Sequence, residues 1–210
     1  EPLPVDLHLM IMAPSTLAEK VCDDPLGWRE LSPRIRITHL KLHADGAFGS
    51  RGAVLTHPYH DDPHAHGVCR TSPEGLEKWV RRGVDAGLDI AVHAIGDGAN
   101  NATLDVYEKV LRDRPEVRPR RLRVEHFSYA SYEDMHRATD LGVLLAVQPN
   151  FVEPDEHGHI MEVMRLGYVN AARAYAFGDL STIGAWLAGS TDDYTFTPDG
   201  IRNFWAAATR

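Results

Sequence analysis

The chain has 210 residues, enough for one domain with a substantial core or for part of a larger one. Its 43% hydrophobic and 25% charged residues are ordinary for a globular chain, and a net charge of −8 excludes the basic surface a nucleic-acid partner needs. Two cysteines, Cys22 and Cys69, exclude a disulfide framework and point to a reducing, cytoplasmic compartment, and no apolar run approaches the roughly 20 residues of a membrane span.

In chain order, "VDLHLMIMA" is a first apolar strand near 5–13, and "RIRITHLKLHA" alternates with period two as a second strand near 35–43. "SPEGLEKWVRRGVDAG" predicts a helix with Ser72 as N-cap, Pro73 in the first turn and Gly87 as its stop. "LDIAVHAIG" follows as a strand near 88–94, then a helix over "DGANNATLDVYEKVLRD" that Pro115 ends. The basic stretch "RDRPEVRPRRLR" reads as a solvated loop before the strand near 121–127. Ser131 caps a helix over "YEDMHRATDLG", and "VLLAVQPNF" gives the strand near 143–148. A loop over 153–159 leads to one helix over "IMEVMRLGYVNAARAYAF", then a strand near 185–190 and a last helix from "DGIRNF". The pattern is β-α repeated, and strands this uniformly apolar are buried on both faces, as a parallel sheet under helices requires. No low-complexity linker interrupts it, so residues 1–210 read as one α/β domain, either doubly wound or an incomplete (β/α)₈ barrel.

Chemistry gathers where the strands finish. The endings "LKLHADG", "AVHAIGD", "VEHFS" and "AGSTDD" bring Lys41, His93, His126 and Asp192 to the carboxyl ends of four strands, the edge where parallel α/β proteins build their sites. Two imidazoles and a carboxylate suit a borderline divalent cation such as zinc. Each residue alone has a plain structural role: a hydrogen-bonded histidine, a helix-capping aspartate, a solvated lysine. One metal site explains all of them together. His43 shares the Lys41 face by strand alternation, and so either enters the pocket or is a buried neutral imidazole.

The stretches "LKLHADGAFGSRGAVLTHPYHDDP", "AVHAIGDGANNATLDVYE", "RVEHFSYASYEDMHRATDLGVLLAVQPNF" and "GAWLAGSTDDYTFTP" resemble the amidohydrolase superfamily of metal-dependent hydrolases. Within it they are similar to the amidohydrolase 3 branch that includes N-substituted formamide deformylases. The resemblance implies a (β/α)₈ TIM barrel beside a small β-sandwich, with metal ligands at a strand-four lysine, strand-five and strand-six histidines and a strand-eight aspartate. Here these are Lys41, His93, His126 and Asp192, with Asp193 as the fallback in Gly189-Ser190-Thr191-Asp192-Asp193-Tyr194. The family's His-x-His on strand one has no counterpart at a strand here. His64-Ala65-His66 has the spacing but lies in a Pro-bounded loop. The six strands then correspond to strands three to eight, as the central and C-terminal barrel portion of a longer enzyme.

The implied activity is hydrolysis of a C–N amide-type bond in a small molecule, with one or two divalent ions, zinc foremost, and Lys41 carboxylated to an anionic ligand. Asp192 is the expected proton carrier. Arg51, in the loop after Lys41, is a candidate substrate contact, its alternative being a salt bridge to Asp61 or Asp62. Asp45 and Asp97 read as turn formers or as groups that orient the ligands. The competing readings are a hydrolase of another ester or phosphoester class, and a truncated, inactive barrel domain. The 210 residues alone are expected to turn over little or no substrate and to self-associate through open sheet edges.

Overall fold

A computed structural model describes residues 4–118, 121–152, 160–193 and 199–209; the loop expected over 153–159 and the end of the last motif (194–198) lie outside the described residues. The strands are β1 (Leu7–Met12), β2 (Glu30–Ser32), β3 (Ile35–His43), β4 (Asp89–Ala94), β5 (Leu122–His126), β6 (Leu144–Val147) and β7 (Trp186–Gly189). The helices are α1 (Thr16–Asp23), α2 (Pro25–Arg29), α3 (Pro73–Asp85), α4 (Asp97–Asp113), α5 (Tyr132–Leu141), α6 (Ile160–Ala171), α7 (Phe177–Thr182) and α8 (Gly200–Thr209), with a 3₁₀ turn at Pro149–Val152.

The sheet runs β1-β3-β4-β5-β6-β7 with every one of these pairs parallel, and short β2 is antiparallel to β3. Each new strand is laid down on the same side as the last. A doubly wound sheet reverses this order at a switch point; an arc of a barrel does not. The chain therefore forms a partial (β/α)₈ barrel wall.

Its outer face carries the core. Leu40, Leu42, Ile90, Val92, Leu122, Val124 and Leu145 are all fully buried there, beneath Val80 of α3 and Leu104, Tyr107 and Val110 of α4. Burying a side chain of this size is worth about 1.5–3 kcal/mol, so this layer dominates stability. At Gly83 of α3 a Cβ would come within 2.5 Å of Ile90 Cδ1 and 2.8 Å of Leu40 Cδ1, so the helix lies close on the sheet only because that position is glycine.

The helix signals in the sequence operate as expected. Ser72 accepts from Gly75 N and Ser131 from Asp134 N, while Gly87 and Gly142 end their helices at φ of 73° and 69°. Two expectations fail. The helix anticipated over 160–177 is broken at Gly167 (φ 75°, ψ 161°) and gives way to turns before α7. The steady alternation anticipated for β3 is interrupted by a bulge: Leu9 pairs with Ile37 but Met10 pairs with His39, leaving Thr38 extra. The consecutive side chains of Thr38 and His39 accordingly lie on one face, where Thr38 Oγ1 meets His39 Nδ1 at 2.8 Å. Beyond the bulge Leu40 and Leu42 face the helices, and His39, Lys41 and His43 face the barrel interior.

Candidate metal centre

Strand register determines which side chains meet on the inner face. His43 pairs with His93 across β3 and β4, and their rings lie 4.9 Å apart. On β5 the register sets His126 opposite Ala94, in the row that faces the helices. A left-handed backbone at His126 (φ 77°) and Phe127 (φ 48°) turns the chain out of that row. The His126 ring then meets His93 edge-on, centroids 4.4 Å apart, and stacks on Phe151 at 5.9 Å. Such a conformation is rare outside glycine and costs of order 1 kcal/mol, a cost that recurs at functional sites.

Burial sets the protonation of this cluster. It pushes His93 down to about 3 and His126 well below the usual imidazole range, and it lowers His43 and the Lys41 amine. Mutual repulsion among these cations-to-be adds to the effect, while Glu125 and Asp192 pull Lys41 the other way. Near neutral pH both His93 and His126 are neutral and offer lone pairs. Asp192, exposed just past β7, also takes a left-handed backbone (φ 53°) and lies within electrostatic reach of both Lys41 and His43. Lys41, His93, His126, His43 and Asp192 are thus gathered at one end of the sheet. Among the described residues no trio of His, Cys, Asp or Glu side chains stands in finished metal-holding geometry. The donor types suit a divalent cation, since two neutral imidazoles packed together, an amine and a carboxylate lie at this end of the sheet.

Three residues that sequence reasoning left aside or undervalued organise the centre. Gln148 Nε2 donates to Ala146 O (3.0 Å) and to Ser190 Oγ (2.9 Å), so its Oε1 is the atom facing His126 Nδ1 at 2.8 Å. That arrangement places the ring hydrogen on Nδ1 and leaves Nε2 with the lone pair. Asp45 is no mere turn former. It is buried, accepts backbone hydrogen bonds from Val54, Ile95 and Gly96, and sits 3.5 Å from His93 Nε2, which also faces Gly46 O at 3.3 Å. Burial outweighs those three donors and pushes its carboxyl up to about 6. Glu125, on the inner face beside Lys41, is paired with Arg123 NH2 at 2.6 Å. Asp97 likewise accepts from Thr56 N and its hydroxyl, tying the loop after β3 to the start of α4.

Two expectations about loops resolve differently. Arg51 makes a bidentate pair with Asp61 (3.2 and 3.0 Å), which Arg165 of α6 shares, so its guanidinium is engaged in anchoring the loop. His64 and His66 are exposed in the loop after β3, away from any strand end. A cavity of about 260 Å³ lies at the opposite, amino end of the sheet, lined by His8, Arg29, Arg36 and Asp89, and holds none of the expected ligands.

This architecture has close counterparts. The sequence profile of the amidohydrolase family (Amidohydro_3) matches residues 1–210. A Bacillus subtilis (strain 168) protein that carries the name amidohydrolase YtcJ is 34% identical over 169 residues, covering 79% of this chain and 31% of its own. Crystal structures of uncharacterized metal-dependent hydrolases from Pyrococcus horikoshii OT3 and Pyrococcus furiosus superpose with TM-scores of 0.84 and 0.85 at 31% identity. They cover 97% and 99% of this chain, which spans 39% and 41% of theirs. The chain belongs to the amidohydrolase family, and its sheet is a portion of that family's barrel. No helix among the described residues is long and apolar enough to cross a membrane.

Proposed function

We propose that this chain carries the centre of a metal-dependent hydrolase acting on a C–N amide-type bond, with Lys41, His93, His126 and Asp192 as the residues that hold the metal. The observation that supports this most is the packing of His93 and His126 at 4.4 Å, neutral by burial, beside the depressed Lys41 amine. The two Pyrococcus relatives are described as metal-dependent hydrolases, and the Bacillus relative is named an amidohydrolase. A divalent cation held by these residues, zinc being the borderline choice for this donor set, would supply polarisation of a carbonyl and a bound water of pKa roughly 7.

The chain's own residues do the rest. His126, its tautomer set by Gln148, and His93, braced by Gly46 and Asp45, present lone pairs on a fixed frame. Lys41, its amine pKa lowered by burial, can add carbon dioxide in its free-base form: its nitrogen forms the bond to carbon, a proton leaves, and the product is an anionic carbamate with two oxygen donors. Asp192 accepts the proton of the attacking water and returns it to the departing nitrogen.

The test measures bound zinc and turnover against a panel of N-substituted formamides, ureas and esters. Stoichiometric zinc with amine release from amides supports the reading. Hydrolysis confined to esters or phosphoesters moves the substrate class, and zinc binding that survives loss of both histidines removes the centre. In Lys41→Ala, added acetate or propionate should restore part of the lost activity by filling the vacated space, as it would not for a solvated lysine.

A further inference from the structure

The left-handed backbone at Asp192, just past β7, falls on a residue other than glycine. The last strand-like hydrogen bond before it is Ser190 N to Val147 O at 2.9 Å. The next two carbonyls, those of Ser190 and Thr191, would then be left to solvent. Instead each receives a side-chain amide from a different element. Asn203 Nδ2 of α8 donates to Ser190 O at 3.1 Å, and Asn150 Nδ2 of the 3₁₀ turn donates to Thr191 O at 3.1 Å. The two asparagines are also locked together, since Asn150 N donates to Asn203 Oδ1 at 2.9 Å. That bond fixes the orientation of the Asn203 amide: its oxygen faces an N–H, so its nitrogen must face the Ser190 carbonyl.

The placement of these amides is costly unless it serves a purpose. Only Asn203 and Ala206 are buried on α8, whose Ile201, Phe204 and Trp205 are exposed. A leucine at 203 would be the ordinary choice for the buried position of such a helix, because a buried amide gains only what its hydrogen bonds return. Asn150 is equally buried, at 6% exposure. Both side chains direct their donors at consecutive carbonyls of one short segment, and that segment delivers Asp192.

We infer that Asn150 and Asn203 are positioning residues for Asp192: together they grip the Ser190 and Thr191 carbonyls so that the chain takes its left-handed turn at Asp192 and keeps its carboxylate within electrostatic reach of Lys41 and His43. The inference rests on the proposed role of Asp192 at the metal. Shortly before it, Gln148 ties Ser190 Oγ to His126, so the same grip keeps the two ligand-bearing strand ends in register.

The test is a zinc titration of the metal-free protein in four variants, with turnover of any amide in the panel as a second readout and thermal melting as the control for folding. Asp192→Asn reports whether Asp192 matters at all. Asn150→Asp and Asn203→Asp keep the side-chain shape and remove the donor to the carbonyl. Ala206→Gly loosens α8 without touching either carbonyl. The expected result is that both asparagine variants weaken zinc binding by about tenfold, the range for groups that orient ligands. They should lower kcat more than they change KM, and add little when combined with Asp192→Asn. Ala206→Gly should lower the melting temperature and leave zinc affinity alone. Unchanged zinc affinity in folded Asn150→Asp and Asn203→Asp, alongside a large loss in Asp192→Asn, overturns the inference and spares the role of Asp192. An equal loss in Ala206→Gly overturns it too, reducing the grip to helix packing. No loss in Asp192→Asn removes the proposed role of Asp192 and this inference with it. Should Asn203→Asp fail to fold, Asn150→Asp decides alone.

Discussion

At the carboxyl end of the sheet, His93 and His126 pack ring against ring, Asp45 is sealed from water, and Asp192 and His126 take left-handed backbones. At the amino end of the same strands, Asp89 meets Arg121 at 2.5 Å and His39 at 3.9 Å with 38% of the Asp89 side chain exposed. One end buries polar groups at a cost and holds Asp45 and His126 through long-range hydrogen bonds. The other leaves its charges in water, where an ion pair is worth about 0–1 kcal/mol. The comparison teaches that burial of charge, rather than the number of charged groups, separates the working end of this barrel wall from its base.

The largest break in that comparison is Lys41→Ala. If the amine becomes an anionic ligand, its loss should cut kcat/KM by about a thousandfold or more and reduce bound zinc, a scale at which enzymes lose a principal contribution to rate. Near-normal turnover and metal content in a folded Lys41→Ala protein would return Lys41 to a structural role.

Asp45→Ala comes next. It strips the acceptor from three backbone N–H groups, those of Val54, Ile95 and Gly96. An orphaned buried donor costs about 1–3 kcal/mol, so denaturant unfolding should show a loss of roughly 3 kcal/mol or more. A loss below about 1 kcal/mol would show that water reaches these groups and that the carboxyl end is wetter than its burial indicates.

The same pair makes a pH prediction. His93 is depressed to about 3, so its contribution is present above the unfolded value of 6.5 and is lost as pH falls toward 3. Asp45 is raised to about 6, so its contribution is present below the unfolded value of 3.8 and is lost as pH rises through 6. Between roughly pH 4 and 6 the two slopes oppose each other. In metal-free protein, Asp45→Asn should therefore gain stability with rising pH more steeply than wild type in that window, by up to about 1.4 kcal/mol per pH unit. Parallel stability-versus-pH curves for the two proteins would contradict these opposed shifts.

The smallest effect belongs to the amino end. Arg121→Ala removes the partner of a half-exposed Asp89 and should change stability by no more than about 1 kcal/mol, with no change in zinc binding. A larger effect would mean that the base of the wall is a second load on the fold and would weaken the contrast between the two ends.

Much of this was readable from residue order. Ser72, Pro73 and Gly87 marked α3, Ser131 marked α5, and the strand endings named Lys41, His93, His126 and Asp192, because caps and strand periods are local signals. The residues that organise the centre were not readable in that way. Gln148, Asn150 and Asn203 act through amide bonds to atoms between 2 and 53 residues away, and an isolated Gln or Asn carries no mark of its partner. The same holds for Arg51, which read either as a substrate contact or as a partner of Asp61 or Asp62, and only the folded loop shows Asp61 beside it. The break at Gly167 was passed over because a single glycine inside an apolar run resembles a tolerated one. The bulge left a mark in the residue order that the expectation of steady alternation passed over. Apolar residues fall at odd positions 35 and 37 and at even positions 40 and 42, and that change of parity is the bulge written in sequence.

The extra residue at Thr38 also says how this gene can change. Losing the Thr38 codon would only straighten the strand, since Ile37 and His39 already pair with consecutive residues of β1, but losing the Leu40 codon would exchange the faces beyond it, sending the Lys41 amine into the helix layer and a leucine into the barrel. The second lesion would look conservative, since every residue proposed to hold the metal would still be encoded. The 29 positions between β3 and α3 could absorb gains and losses of length with far less harm at their exposed tips, because no face alternates there. Descendants of this chain are free to lengthen the loops that shape access to the centre. They are held to a fixed reading phase from His39 to the end of β3, the stretch that places Lys41.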